Sequence, residues 1–242
     1  MRRIGAFHFG TNHAAPLKSL ELALQDASDA REAVIVLPEA FNIGVAYRGE
    51  GSRNFEPSIV GDLQRLADRF GVAFVAALVV REPGGPVTPH SGVYFIEGSR
   101  SALLCFKIGP DDMAGINYTP CTGQADFSNP ITYECVSIGA LICVDANPTA
   151  SLAPILMPRL QTVVAASRII CVPAHMATGN FANGKAGHDA RLVSPWRDKI
   201  LILANSKGNG IDSFITDGNG RILEPTVGGP QNRILVHPFT DD

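Results

Sequence analysis

The feature that most limits how this chain can fold is the repeated switch between short, wholly apolar runs and stretches of helical period. Residues 33–37 (Ala33-Val34-Ile35-Val36-Leu37), 72–80, 138–142 and 169–172 contain no charged or amide side chain. A strand that is apolar at every position is covered on both of its faces. Between these runs, Leu17, Leu20, Leu24 and Ala27, and later Ile59, Leu63, Leu66 and Phe70, recur every three to four residues and line one side of a helix. Alternation of the two periods predicts mixed sheets with helices packed outside them.

Strands are predicted at 4–9, 33–37, 72–80, 93–96, 102–107, 131–135, 137–142, 169–172 and 200–204. Helices are predicted at 17–30, from Ser58 as N-cap to a stop at Gly71, at 152–166 and at 189–198. A hairpin spans 93–107, and a second closes around Asp217-Gly218-Asn219-Gly220 between 212–216 and 221–223. Residues 108–130 and 174–187 show no period, and loops of that length tend to carry function. Nothing in composition marks a boundary, so residues 1–242 read as a single domain.

Charge and apolar content exclude several classes of partner. Twenty Lys+Arg against 23 Asp+Glu leave a net charge of −3, with no basic field to collect the phosphates of a nucleic acid. The apolar run 72–80 ends at Arg81, well short of the ~20 residues of a spanning helix. His8, Asn12 and His13 interrupt what would be the apolar core of a signal peptide, so the chain reads as cytoplasmic. Five cysteines without a Cys-x-x-Cys pair fit free thiols in a reducing compartment. The six histidines have no ligand spacing, and neither a phosphate loop, a Gly-x-Ser-x-Gly elbow nor a His-Glu-x-x-His pair is present. No metal and no cofactor is expected.

Three residues then stand out by position. Glu39 follows the run 33–38, Lys107 ends 103–106, and Cys143 ends 138–142, so each is a reactive group at the end of an apolar strand. Strand ends are where ligand sites form in open α/β sheets. Singly, each is more often an exit residue or a small core residue. Together they supply a thiol nucleophile, a carboxylate to take its proton and an ammonium to face a developing oxyanion. A helix beginning after Pro148 would place backbone N–H groups near the Cys143 thiol.

Pro38-Glu39-Ala40-Phe41 with Gly44 and Tyr47, then Phe106-Lys107, then Leu141-Ile142-Cys143-Val144-Asp145 resemble the nitrilase superfamily of carbon–nitrogen hydrolases. Trp196-Arg197-Asp198, Asn205-Ser206-Lys207-Gly208 and Asp217-Gly218-Asn219-Gly220 extend the likeness to the C-terminal part of the chain. The resemblance implies an α/β fold, a four-layer α-β-β-α sandwich with two mixed sheets, commonly paired as a homodimer or larger homo-oligomer. It also implies a thiol hydrolase that cleaves a non-peptide C–N bond of a small amide, releasing ammonia or an amine through a thioester. Glu39, Lys107 and Cys143 would be its catalytic residues, with the N–H of Val144 as a second oxyanion donor.

Tyr47, Asp111, Asp112, Val144, His175 and Met176 are the candidate substrate-binding residues. Asp111 and Asp112 stand where many members of the family carry a second glutamate, and Val144 stands where they carry an aromatic residue. The segment Asn147-Pro148-Thr149 replaces the family's Phe-Pro-Glu. Two alternatives therefore stay open: a catalytically degenerate member acting as a binding or assembly protein, and a nitrile or N-carbamoyl hydrolase using the same three residues.

Overall fold

The structure is a computed structural model that describes residues 1–10, 15–42, 58–80, 90–108, 130–146, 153–175, 198–205, 213–217, 221, 223–224 and 231–240. Eleven strands form two mixed sheets among these residues. The first has the order β11-β1-β2-β3-β4-β5, built from β1 (Arg3–His8), β2 (Ala33–Leu37), β3 (Ala73–Val80), β4 (His90–Glu97), β5 (Arg100–Phe106) and β11 (Arg233–Pro238). The second has the order β10-β9-β8-β7-β6, from β6 (Ile131–Tyr133), β7 (Val136–Ala140), β8 (Ile169–Ala174), β9 (Ile200–Asn205) and β10 (Phe214–Asp217). Strands β1, β2 and β3 run parallel in the first sheet and β7, β8 and β9 in the second.

Alternate residues of each central strand face opposite layers, as the two-residue pleat requires. Ile4, Ala6, Val34, Val36, Ala73, Val75 and Ala77 meet Ile138, Ala140, Ile169, Cys171, Ile202 and Ala204 in the core between the sheets. The other face of the first sheet, including Phe7, Ile35, Leu37, Phe74 and Leu78, is covered by α1 (Pro16–Asp26) and α2 (Ser58–Phe70). The outer face of the second sheet, with Ile170, Val172, Leu201 and Leu203, packs on α3 (Ala153–Ala166). Burial on both sides explains why the strands are apolar throughout, and the four layers α-β-β-α match the architecture implied by the resemblance.

Helix faces follow from spacing. Leu20, Ala23 and Leu24 are the buried residues of α1, and Ile59, Leu63 and Ala67 those of α2. In α3, Leu156 is buried, and Leu160, Val163 and Val164 pack into the core under the second sheet. Gly71 adopts φ 65° after α2, the left-handed conformation that ends a helix without a Cβ penalty. Gly139 lets α3 approach β7, since a Cβ there would run into the Ser167 hydroxyl and Val163.

Several boundaries differ from the sequence reading. Helix α1 stops at Asp26 rather than 30, because Ala27 leaves helical geometry with ψ 76° while its N–H still reaches Ala23 O. Strands expected at 131–135 and 137–142 are β6 and β7, joined through Glu134 and Cys135 at φ 45° and 68°. Two consecutive left-handed residues make a tight hairpin turn, here without the Asn-Gly pair that usually announces one. Strand β11 escaped the sequence reading and pairs antiparallel with β1 at the sheet edge, Arg3 opposite Pro238. In the closing hairpin the described residues Arg221 and Leu223 lie outside any strand, although Leu223 N–H donates to Ile215 O at 2.8 Å. Of the helix expected at 189–198 only Asp198 is described, in a turn at φ 69°.

Candidate active site

The parallel strands of both sheets point their C-terminal ends the same way, and the sheets are joined there by backbone hydrogen bonds. Phe9 N–H donates to Asn205 O, joining β1 to β9, and Glu39 N–H donates to Ala174 O, joining the end of β2 to β8, both at 3.3 Å. At this end His8, 1% exposed, has its Nδ1 3.3 Å from Ser213 Oγ, which also accepts the N–H of Asn205. His8 is thus a satisfied inter-sheet residue.

Glu39 lies two residues beyond β2 in a segment held on every side. Ala40 adopts φ 53°, a costly conformation for a residue with a side chain. Phe41 N–H donates to Ala77 O at 3.1 Å, and its ring packs edge-on against Phe7 and Phe9 at 6.1 and 6.0 Å. The Asn42 amide donates to Val79 O and accepts Val79 N–H, at 2.7 and 2.9 Å, extending the sheet by one side-chain rung. These contacts fix the backbone that carries Glu39.

Lys107 follows the last residue of β5, where its N–H donates to Ser91 O in β4 at 2.8 Å. Its ammonium donates to Glu39 Oε1 at 2.5 Å, and the two side chains are 0% and 1% exposed. A dry ion pair of this kind is expensive to assemble, and each partner depends on the other for its place in the interior.

Cys143 lies three residues beyond β7 and heads the 3-10 turn Cys143–Ala146, with φ 45°. It does not open α3 and packs half-buried against the core between the sheets. Left-handed geometry at a non-glycine residue persists only where the surroundings over-determine it. Leu141 N–H donates to Cys171 O at 3.0 Å, Asp145 N–H to Ile142 O at 2.8 Å, and the Asp145 carboxylate accepts Ile108 N–H at 2.9 Å. That last bond brings the Cys143 turn against the residue after Lys107.

Of the sequence candidates, Glu39 and Lys107 are in contact, Cys143 shares their end of the sandwich, and half-buried His175 follows Ala174, which accepts the Glu39 N–H. Tyr47, Asp111, Asp112, Met176 and the side chain of Val144 lie outside the described residues. Sequence reasoning passed over Asp145 and Arg159. Asp145 was legible only as part of the cysteine motif, and nothing in the spacing marked Arg159. Among the described residues no group of His, Cys, Asp and Glu could hold a metal ion, and no helix is long and apolar enough to cross a membrane.

The remaining thiols among the described residues are distinguishable by environment. Burial raises Cys105 from 9.0 to about 12, and raises Cys171 as well, whereas Cys135 is exposed. A thiol whose folded-state value is raised stabilises fully below its ordinary value, and that contribution is lost as pH climbs toward the raised one. Urea stability is therefore expected to fall above pH 9, by about 1.4 kcal/mol per pH unit for each of the two thiols. Denaturation curves at pH 8 and about pH 10 check this, and Cys105→Ala with Cys171→Ala should flatten the slope.

No protein-family model matches the chain, and no curated protein does. Solved structures do. An amidase, NitN from Nesterenkonia sp. AN1, matches with a TM-score of 0.69 at 19% identity, covering 100% of this chain and 94% of that one. A cysteine-to-alanine variant of the Nesterenkonia AN1 amidase, described as of the nitrilase superfamily, matches with a TM-score of 0.72 at 18% identity over 99% and 91% of the two chains. Another such variant, in complex with butyramide, gives 0.70 at 18% identity over 98% and 90%. The agreement runs the length of both chains, and the chain has the fold of the nitrilase superfamily.

Proposed function

We propose that this protein is a cofactor-independent thiol amidohydrolase acting on a small aliphatic carboxamide. The observation that carries the reading is the buried Lys107–Glu39 pair, 2.5 Å apart, beside the strained turn that presents Cys143. Further support comes from the solved neighbours. One Nesterenkonia amidase variant is complexed with butyramide, and another shows acrylamide added to the active-site cysteine.

In this reading the Glu39 carboxylate takes the Cys143 thiol proton and the thiolate forms a C–S bond to the carbonyl carbon. Lys107 and the N–H of Val144 hold the oxyanion. The tetrahedral adduct collapses as the C–N bond breaks, and Glu39 returns its proton to the departing nitrogen. Water then gives a proton to Glu39 and attacks the thioester carbonyl. Collapse releases the carboxylic acid and regenerates the thiol. In the same reading Tyr47, Asp111, Asp112, His175 and Met176 would be substrate-binding residues, as the resemblance suggests. A single-domain homo-oligomer in a reducing compartment belongs to the same reading; the chain-long fold match supports the single domain and the four described free cysteines the reducing compartment.

The test is ammonia release from acetamide, propionamide, butyramide and acrylamide at neutral pH. Turnover of at least one above the buffer rate is expected. Release no faster than in buffer, together with tight binding of an amide, would favour the binding-protein alternative.

A further inference from the structure

Three consecutive residues around Lys107 are held by three different elements. Arg159 Nη1, on α3, donates to the carbonyl of Phe106 at 2.9 Å. Lys107 N–H donates to Ser91 O at 2.8 Å, and Ile108 N–H donates to Asp145 Oδ2 at 2.9 Å. The pairing of β5 with β4 ends at Phe106 opposite Gly92, and the Lys107 N–H bond to Ser91 O is the last tie to β4 before Ile108 passes to Asp145. Asp145 is 2% exposed and sits two residues after Cys143 in the same 3-10 turn. Both charges converge on one place, since the Cys105 thiol feels Arg159 and Asp145 more strongly than anything except burial.

We propose that Asp145 is a positioning residue that ties the nucleophile turn to the strand end carrying Lys107, with Arg159 bracing the same strand end at the Phe106 carbonyl. The inference rests on the amidohydrolase reading for its catalytic consequence, though not for its geometry. Lys107 has a flexible four-carbon stem, and its Nζ is directed by where its backbone sits and by Glu39. Cys143 belongs to a different sheet. The carboxylate of Asp145 is a direct link between the two sheets' contributions, made through one backbone N–H and set within the turn that keeps Cys143 left-handed. A displacement of ~1 Å between reacting groups is enough to cost ~100-fold in rate. A side chain acting through another in this way alters turnover more than substrate affinity.

The experiment compares Asp145→Ala, Asp145→Asn and Arg159→Met in the full chain. For Asp145→Ala, kcat is expected to fall ~30- to 100-fold with KM changed less than ~3-fold. The asparagine carbonyl can accept the same N–H, so Asp145→Asn should recover kcat to within ~5-fold of the wild type. Arg159→Met should lower kcat ~3- to 10-fold. The rate at which iodoacetamide modifies Cys143 at neutral pH, read on its own peptide so that exposed Cys135 does not interfere, should follow the same order. This reading needs no substrate: if the wild type releases no ammonia yet the alkylation rates follow that order, the link stands while the amidohydrolase reading falls. The proposal is overturned if Asp145→Ala lowers only the melting temperature, leaving kcat and the alkylation rate as in wild type. It is also overturned if Asp145→Asn is as impaired as alanine. Should Asp145→Ala fail to fold, Arg159→Met decides, and unchanged kcat with an unchanged alkylation rate overturns the proposal.

Discussion

Lys107→Met is expected to cost the fold about 3–5 kcal/mol and to bring amide turnover down to background. The stability loss follows from what is left behind. Glu39 is 2% exposed, and without the ammonium its carboxylate must either stay charged in the interior or take up a proton. The activity loss follows from the oxyanion, which would lose its cationic partner in a water-poor site where such a partner matters most. The two losses separate in the double variant. Glu39→Gln with Lys107→Met removes both charges, and most of the lost stability should return while turnover stays at background. Urea denaturation and ammonia release on the three proteins measure this. A single variant as stable as the wild type would show that the pair is not what holds Glu39 in place.

Cys143→Gly should have the opposite profile. Turnover is expected to fall by ~10⁵-fold or more, as when a covalent nucleophile is removed from a hydrolase. Folding stability should stay within about 1 kcal/mol of wild type, because glycine occupies the left-handed region at φ 45° without steric cost. That relief offsets the packing lost with a half-buried thiol. Cys143→Ala keeps the strain and should be the less stable of the two by urea denaturation. A glycine variant markedly less stable than alanine would mean that the turn is not strained.

How much of this was legible in the sequence depends on what sort of signal each element left. The central strands and the three described helices announced themselves because burial on both faces writes an unbroken apolar run, and burial of one helix face a strong periodicity. Strand β11 did not: Arg233, Ile234, Leu235 and Val236 lie on a sheet edge, where one neighbour and partial burial leave only a short mixed pattern. The turn at Glu134 and Cys135 was hidden because its left-handed residues are not the usual ones. Glu39, Lys107 and Cys143 could be found because a charged or reactive group is conspicuous at the end of an apolar run. Their arrangement could not. The contact between Lys107 and Glu39 joins residues 68 apart, and the positive φ of Cys143 arises from bonds to β8 and to residue 108. Arg159 is the one charged residue of an otherwise largely apolar helix, and its bond to the Phe106 carbonyl is visible only in the fold.

In the proposed mechanism Cys143 carries an acyl group during the reaction. Hydroxylamine intercepts such a thioester, so butyramide and hydroxylamine incubated with the protein should yield the hydroxamate as well as ammonia, with the acyl group found on the Cys143 peptide after acid quenching. The Cys143→Gly protein should yield neither product. Ammonia release without hydroxamate, or hydroxamate formation that persists in the glycine variant, would show that no acyl group resides on Cys143.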